Sequence, residues 1–218
     1  MVVLLQMREL QILGDDGVSL HENFGKGNTD ANANLTANDV VYTPREIARQ
    51  MIAFYDLKDD DRILDPCAGD GAFFDQYPKH ILAKYRMEIT EGLDFFDWNT
   101  LSSPKIDWII TNPPYSIYEE FCQKAFEVAD NVCFLVPLSK VVSSLGRIKS
   151  VMDYGGFVSI HIIGASQCGF PFGFPAAAVH MKRDYEGETE IKMWEDRTQR
   201  SLLDYGSIAD EEAYKYSV

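Results

Sequence analysis

Two short segments of the chain combine residue types that can hold a small ligand and act on it. The first is Asp65-Pro66-Cys67-Ala68-Gly69-Asp70-Gly71-Ala72-Phe73, which begins where the apolar run RILD ends. Its glycines allow a tight turn and let a ligand approach the backbone closely. The segment has neither a third glycine at the dinucleotide-binding spacing nor a Gly-Lys-Ser/Thr sequence. It therefore indicates a ligand loop or an ordinary strand-to-helix turn, but not an NAD site or a P-loop.

The second segment is Asn112-Pro113-Pro114-Tyr115, at the end of the apolar run KIDWIIT. Two adjacent prolines restrict the backbone and remove two N–H donors. The Asn112 side-chain oxygen and the Pro113 carbonyl can both accept hydrogen bonds from one planar amino group, and Tyr115 supplies an aromatic face. Asn-Pro also begins many ordinary turns, so this segment alone leaves a purely structural role open.

The elements around these segments alternate between strand and helix patterns. Thr43-Pro44 predicts the start of a helix over REIARQMIAFY, with Thr43 as the N-cap and Glu46 completing a capping box. Continuous apolar runs predict buried strands, and AAAVHMKR followed by EIKMWE predicts a hairpin. We expect an α/β, Rossmann-like fold with a mostly parallel central sheet, helices on both faces and a C-terminal hairpin.

Length and charge set limits on the organisation and the partners of the chain. Its 218 residues suit one folded domain, which we expect over 40–200, with a flexible arm over 1–39 and an acidic tail over 201–218. A formal net charge of −14 argues against a protein that coats nucleic acid by charge alone. The four separated cysteines indicate reduced thiols in a cytoplasmic protein. The sequence predicts neither a metal site nor a membrane-spanning segment.

The two chemical segments, taken together and in this order, resemble the motifs of the class I S-adenosylmethionine-dependent DNA N6-adenine methyltransferases. VVYTPREIARQMI, EITEGLDFFDW and FGFPAAAVHMKR are similar to further parts of that family, so the resemblance covers roughly residues 40–185. It implies a methyltransferase catalytic domain over 40–200 with S-adenosyl-L-methionine as its cofactor. The implied reaction is methyl transfer to the exocyclic N6 amino group of adenine in DNA.

The resemblance also implies which residues hold the methyl donor. Thr43 is expected to bind its carboxylate, Asp65 its ammonium group, and Glu88, or its rival Glu91, its ribose. Asp94 would accept from the donor's adenine amino group while Phe95 covers the ring; each residue also has an ordinary packing or capping alternative. The full implied set is Thr43, Pro44, Asp65, Pro66, Cys67, Ala68, Gly69, Gly71, Phe73, Glu88, Ile89, Asp94 and Phe95.

Catalysis is expected from Asn112, Pro113, Pro114 and Tyr115. The Asn112 side chain and the Pro113 carbonyl would hold the target amine and favour the tetrahedral nitrogen that attacks the methyl group. Tyr115 would stack on a base extruded from the helix. The other face of the target-base pocket would be closed by an aromatic residue of one loop: Phe170, Phe172 or Phe174.

One departure from the family pattern bears on recognition of the substrate. Only about forty residues separate the two motifs, and about thirty-five follow AAAVHMKR, which leaves little room for the usual target-recognition region. We therefore expect DNA to be bound through a small basic face, or recognition to come from a second copy or a separate specificity partner. The basic candidates are Lys140, Arg147, Lys149, Lys182 and Arg183.

Two other readings of the sequence stay open. The same fold can methylate a different amine, namely adenine in RNA, N4 of cytosine or the side-chain amide of a protein glutamine. Alternatively, the chain is a non-catalytic, donor-binding subunit, against which the intact Asn112-Pro113-Pro114-Tyr115 argues. By analogy with compact methyltransferases of phages and mobile elements, the resemblance implies a bacterial or phage source.

Overall fold

The computed structural model describes residues 42–170 and 173–194. The chain divides into two compact units, residues 1–132 and residues 133–218. The arm predicted over 1–39 and the tail predicted over 201–218 lie outside the described residues, so the predicted domain limits stay predictions.

The first unit contains three strands in parallel register. Its elements are α1 (Arg45–Ile52), β1 (Arg62–Asp65), β2 (Ala83–Arg86), β3 (Ile106–Thr111) and α2 (Tyr118–Val128), and β4 (Ala129–Pro137) begins at its end. Strand β1 pairs in parallel with β2 on one side and with β3 on the other, Ile63 lying opposite Lys84 and Trp108. The carboxyl ends of the three strands therefore meet at one edge of the sheet.

The core of this unit lies on the two inner strands. Ile63, Leu64, Ile106, Ile109 and Ile110 are fully buried, as expected for strands covered on both faces. Burying one such side chain stabilises the fold by roughly 1.5–3 kcal/mol. This packing fixes the strand ends, and with them the two segments that follow β1 and β3.

Helix α1 begins one residue later than the sequence predicts. Pro44 is the residue that precedes the helix, and no side chain caps the first turn. Thr43 is not the N-cap, because its hydroxyl accepts a hydrogen bond from Asn112 instead. Glu46 pairs with Arg49 and Gln50 on the helix surface, so the predicted capping box does not form.

The segment between β1 and β2 does not form an α-helix. It contains turns and one short 3-10 segment, Phe74–Gln76. Gly71 has φ of +86°, a left-handed conformation that interrupts a helix. Strand β2 then covers AKYR.

The second unit is built around β5 (Gly155–Ile163). Its other elements are the rest of β4, α3 (Leu138–Val142), α4 (Leu145–Tyr154), β6 (Ala176–Arg183) and β7 (Glu190–Met193). Strand β6 pairs antiparallel with β5, and β7 pairs in parallel with the other edge of β5. The predicted hairpin between AAAVHMKR and EIKMWE is therefore wrong: the antiparallel partner of β6 is β5. The apolar strand β5 thereby gains a hydrogen-bonded neighbour on each side.

Within the first unit the strand order is β2-β1-β3, and within the second unit it is β6-β5-β7. These sheets with their connecting helices confirm the predicted Rossmann-like α/β class, apart from the hairpin. Within residues 42–170 and 173–194, no helix is both long enough and apolar enough to span a bilayer.

Candidate active site

The ends of β1 and β3 are joined by a buried hydrogen-bond cluster. The Thr111 hydroxyl donates to Asp65 Oδ1 over 2.7 Å, and Cys67 Sγ lies 3.1 Å from the same hydroxyl. The Cys67 thiol also donates to the backbone oxygen of Asn112, at 3.2 Å. The loop that follows Asp65 is therefore tied directly to the strand end that carries Asn112.

Asp65 is 1% exposed, and this burial raises the pKa of its carboxyl group to about 7. The Thr111 hydroxyl and the nearby amides of Cys67 and Phe74 oppose this rise without cancelling it. Its second oxygen, Oδ2, is buried and accepts no hydrogen bond from the described residues. A buried acceptor of this kind lacks a donor, and an ammonium group supplies one.

The glycine loop itself is exposed at Gly69, whose φ is +50°. A Cβ added to Gly69 would be in ordinary van der Waals contact with the Tyr42 ring, at 3.8 Å, so this ring lies beside the exposed backbone of the loop. The buried Asp65 oxygen that lacks a hydrogen-bond donor fits an ammonium group. The residues present therefore fit the donor that the family resemblance implies.

Glu88 holds the glycine loop rather than pointing away from it. Its Oε2 accepts from the Gly69 amide at 2.7 Å, and its Oε1 accepts from the Thr90 amide and hydroxyl. Burial acts to raise the pKa of Glu88, but these hydrogen bonds outweigh it and the pKa is lowered. Its rival Glu91 is paired with Arg86 at 2.7 Å, so Glu88 is the acid that contacts the loop.

The start of α1 is fastened to the same loop. Arg45 donates to Asp75 Oδ2 at 2.7 Å and to the Asp70 carbonyl at 3.1 Å. Asp75 also leaves no room beside Gly71, where a Cβ would come within 2.9 Å of its carboxylate. Arg45 is a residue that the sequence reasoning missed.

Asn112 is held at both ends of its side-chain amide. Its Nδ2 donates to Thr43 Oγ1 at 3.1 Å, and its Oδ1 accepts from the Tyr115 hydroxyl at 2.8 Å. Thr43 and Tyr115 are both buried, at 6% and 7% exposure. The structure thus brings the predicted catalytic residues Asn112 and Tyr115 into direct contact, and adds Thr43 to them.

The segment predicted to hold the donor's adenine has a different exposed ring from the one expected. Phe95 is 3% exposed and packs on Phe121 with ring centroids 4.9 Å apart. Phe96 is 40% exposed, so it is the more accessible of the two rings, and the predicted role of Phe95 in covering the donor's adenine stays a prediction. Asp94 uses one carboxylate oxygen to cap this turn through the Phe96 amide, at 2.9 Å.

The other predicted site residues differ in their exposure. Pro66, Ala68, Gly71, Phe73 and Pro113 are buried, whereas Pro44 is exposed. Cys67, Ile89 and Pro114 are half-buried. In the second unit Phe170 is buried and Phe174 is 48% exposed. Phe172 lies outside the described residues, so the assignment of these three to a target-base pocket stays a prediction.

The basic residues proposed for nucleic-acid contact are partly engaged within their own helices. Arg147 donates to the Lys140 carbonyl and the Ser143 hydroxyl, each at 3.2 Å. Lys149 pairs with Asp153 at 2.6 Å. The Arg183 guanidinium lies 4.9 Å from the centroid of the Tyr154 ring.

Thr111 is the most connected site residue that the sequence reasoning missed. It is fully buried and contacts both Asp65 and Cys67. A signal for it exists in the sequence, because it is the single hydroxyl residue in the apolar run KIDWIIT and directly precedes Asn112.

Comparison with known proteins connects this geometry to a family. Residues 28–96 match the family model described as N-6 DNA Methylase, and this range includes Thr43, Asp65, Gly69 and Glu88. No curated protein matches the chain.

Several solved structures share the fold. A type I restriction-modification methyltransferase subunit from Streptococcus thermophilus aligns with a TM-score of 0.55 at 14% identity, over 77% of this chain and 53% of that chain. This chain therefore spans about half the length of that subunit. The 23S rRNA methyltransferase ErmE aligns with a TM-score of 0.52 at 15% identity, over 77% of this chain and 76% of that one.

A third neighbour, from Listeria monocytogenes, is assigned to the class I S-adenosylmethionine-dependent methyltransferases. It aligns with a TM-score of 0.50 at 12% identity, over 79% of this chain and 72% of that one. Identities this low establish the fold alone. Residues 28–96 are thus similar to the N-6 DNA Methylase family, and the chain has the fold of the class I methyltransferases.

Proposed function

We propose that the chain transfers a methyl group from S-adenosylmethionine to the exocyclic N6 amino group of adenine in DNA. The observation that carries this proposal is the contact between its two chemical segments. Thr111 and Cys67 tie the donor loop after Asp65 to the strand end that presents Asn112. A donor on this loop and an amine on Asn112 would therefore be held beside each other, as methyl transfer requires.

The donor side of the site relies on charge and on close approach to the backbone. When bound, S-adenosylmethionine supplies an electrophilic methyl group on its sulfonium sulfur. Asp65 offers its unpartnered carboxylate oxygen for the ammonium group. Glu88 accepts from the Gly69 amide of the turn. Asp94 would accept from the adenine amino group through its second oxygen, and Phe96 offers an exposed ring in the same segment.

The target side relies on Asn112. Its Oδ1 and the Pro113 carbonyl accept hydrogen bonds from the exocyclic amine, which keeps the nitrogen lone pair directed at the methyl group. In the present conformation the Tyr115 hydroxyl donates to the same Oδ1. Because Tyr115 is only 7% exposed, its side chain has to swing out before its ring can stack on an extruded base.

The charge of the first unit indicates that it does not bind and recognise DNA by itself. Between residues 42 and 132 there are nine Lys and Arg against seventeen Asp and Glu, a balance that repels phosphates. We infer that a second copy of the chain or a separate specificity subunit supplies most of the phosphate contacts. The neighbour from Streptococcus thermophilus is itself a subunit of a restriction-modification system. A bacterial or phage cytoplasm is the setting that fits this proposal.

Adenine in RNA is the second candidate substrate. It is favoured by the likeness to ErmE, a 23S rRNA methyltransferase, whose TM-score is close to that of the restriction-modification methyltransferase subunit. The fold alone does not separate the two substrates, since both neighbours share it.

A transfer assay tests the proposal. The full-length protein is incubated with methyl-labelled S-adenosylmethionine and, separately, with DNA lacking N6-methyladenine, with RNA and with a protein extract, and each product is digested for nucleoside or amino-acid analysis. We expect label in N6-methyladenine from DNA. Label found only in RNA, cytosine or glutamine would identify that acceptor as the substrate instead of adenine in DNA. If no acceptor is labelled, the assignment as an enzyme is contradicted.

Asn112→Ala provides the matched control for this assay. We expect the variant to lose methyl transfer while binding S-adenosylmethionine with nearly unchanged affinity in a calorimetric titration. Full activity in Asn112→Ala would show that the amine is held elsewhere.

A further inference from the structure

Thr43 lies at the junction of the donor loop and the Asn112 side chain. It is only 6% exposed, and its hydroxyl lies 3.1 Å from the Asn112 Nδ2 although 69 residues separate the two positions. We propose that Thr43 is a positioning residue: it holds the Asn112 amide by its nitrogen, so that the amide oxygen faces the target amine. This inference rests on the proposed methyl transfer and adds a role for Thr43 in it.

The two other roles open to Thr43 do not account for its position. It does not cap α1, because Pro44 precedes the helix and no side chain caps the first turn. Binding of the donor's carboxylate would use the Thr43 O–H group and does not explain why the hydroxyl oxygen of this buried side chain accepts from Asn112.

The backbone around Thr43 is itself fastened in place. Pro44 has φ of −55° and ψ of 132°, an extended conformation that proline favours. Arg45 then binds Asp75 and the Asp70 carbonyl. Thr43 therefore directly precedes a conformationally restricted proline and a helix start that is anchored to the donor loop.

The hydrogen bond from Asn112 to Thr43 determines which end of the Asn112 amide faces the target amine. An amide presents two donors at its nitrogen and an acceptor at its oxygen. If the Asn112 side chain turned over, its NH2 group would face the target amine, which also needs an acceptor. Thr43 opposes this rotation by accepting a hydrogen bond from Asn112 Nδ2, while the Tyr115 hydroxyl donates to Asn112 Oδ1.

The test compares Thr43→Val, which removes the hydroxyl at nearly constant shape, with Thr43→Ser, which keeps it. Thr100→Val makes the same chemical change at an exposed threonine outside the site and serves as the matched control. We expect Thr43→Val to lower the single-turnover rate of DNA methylation about tenfold, in line with the loss of one hydrogen bond. Thr43→Ser and Thr100→Val should keep the rate within about twofold of the wild type.

Two further readouts separate positioning from donor binding and from activity itself. The Kd for S-adenosylmethionine should stay within about twofold of the wild type in Thr43→Val. In a ¹⁵N-labelled sample, the side-chain amide signals of Asn112, identified by their loss in Asn112→Ala, should shift and exchange faster in Thr43→Val but not in Thr43→Ser. This second readout is informative even if the proposed DNA methylation fails.

The opposite pattern would overturn the inference. A Kd raised tenfold in Thr43→Val at an unchanged maximal rate makes Thr43 a donor ligand. Unchanged Asn112 amide signals in Thr43→Val mean that Thr43 does not hold the side chain. If Thr43→Val melts below the assay temperature, Thr43→Ala takes its place on the same readouts and against the same criteria.

Discussion

The hydroxyl of Thr111 donates to the carboxylate of Asp65 across 2.7 Å, inside the sheet edge where β1 and β3 end. Asp65 and Thr111 are 46 residues apart in the sequence, yet neither is more than 1% exposed. Cys67 also lies within 3.1 Å of the same hydroxyl. The proposed donor loop and the proposed catalytic strand therefore share one buried contact.

Donor binding should weaken as the pH falls through about 7. Burial raises the pKa of Asp65 to about 7, so the carboxylate that would bind an ammonium group is increasingly protonated below this pH. The Kd for S-adenosylmethionine, measured by calorimetry between pH 5.5 and pH 8.5, should rise about tenfold for each pH unit below the midpoint. A flat profile would mean that Asp65 does not bind the ammonium group.

The same carboxyl group should make folding depend on pH. Its pKa in the fold exceeds the ordinary value of 3.8, so the folded state binds the extra proton and its stability falls as the pH rises from about 4 to about 7. Between pH 5.5 and pH 8 this group should lower the free energy of unfolding by about 2 kcal/mol. Urea unfolding of the wild type should show this loss, and Asp65→Asn should show a loss smaller by that amount. Equal losses in both proteins would contradict the buried, proton-binding state of Asp65.

Removal of the Thr111 hydroxyl should shift the pH profile upward. The Thr111 hydrogen bond opposes the rise in the pKa of Asp65, so Thr111→Val should raise that pKa further. We expect the midpoint for donor binding to move up by about one pH unit, the effect of one hydrogen bond to a charged group. Thr111→Ser keeps the hydroxyl and should keep the wild-type midpoint. A midpoint that is the same in Thr111→Val and the wild type would assign the titration to another group.

Substitution of Glu88 should loosen the donor loop. Glu88→Gln loses an acceptor for the Gly69 or Thr90 amide, and we expect a loss of stability of about 1–2 kcal/mol together with weaker donor binding. The pKa of Glu88 is lowered in the fold from its ordinary value of 4.5. The contribution of Glu88 to stability is therefore present above pH 4.5 and is lost as the pH falls through the lowered pKa. Glu91→Gln disrupts only the surface pair with Arg86 and should change stability by less than about 1 kcal/mol. Similar losses of stability in Glu88→Gln and Glu91→Gln would show that the contact between Glu88 and the Gly69 amide does not stabilise the loop.

Tyr115 should act on the target in two separable ways. Tyr115→Phe keeps the ring and removes the hydroxyl that donates to Asn112 Oδ1, so the target amine no longer competes for that oxygen. We expect the KM for DNA to fall by about two- to tenfold, the range for one hydrogen bond. Tyr115→Ala removes the stacking ring and should raise the KM for DNA while leaving the Kd for S-adenosylmethionine unchanged. A higher KM in Tyr115→Phe would assign the hydroxyl to substrate binding.

The two chemical segments and the general class of fold were predictable from the sequence. Apolar runs such as KIDWIIT have only one stable position, a strand covered on both faces. Asp65-Pro66 and Asn112-Pro113 each end such a strand, so their arrival at one sheet edge follows from parallel pairing alone. The predicted C-terminal hairpin failed because neighbouring strands in the sequence need not pair, and β5 took both β6 and β7 as partners.

The contacts between distant residues were decided only by the tertiary structure. Thr43 carries a local helix-start pattern, but a buried amide from Asn112 satisfies its hydroxyl instead. Phe95 and Phe96 are identical in type and adjacent in sequence, and only packing against Phe121 determines which ring is buried. Residue type and spacing fix strand ends and turns, because these depend on local backbone sterics and on apolar periodicity. Which polar groups satisfy one another is fixed only when the strands have packed, because a buried donor or acceptor must then find its partner in space.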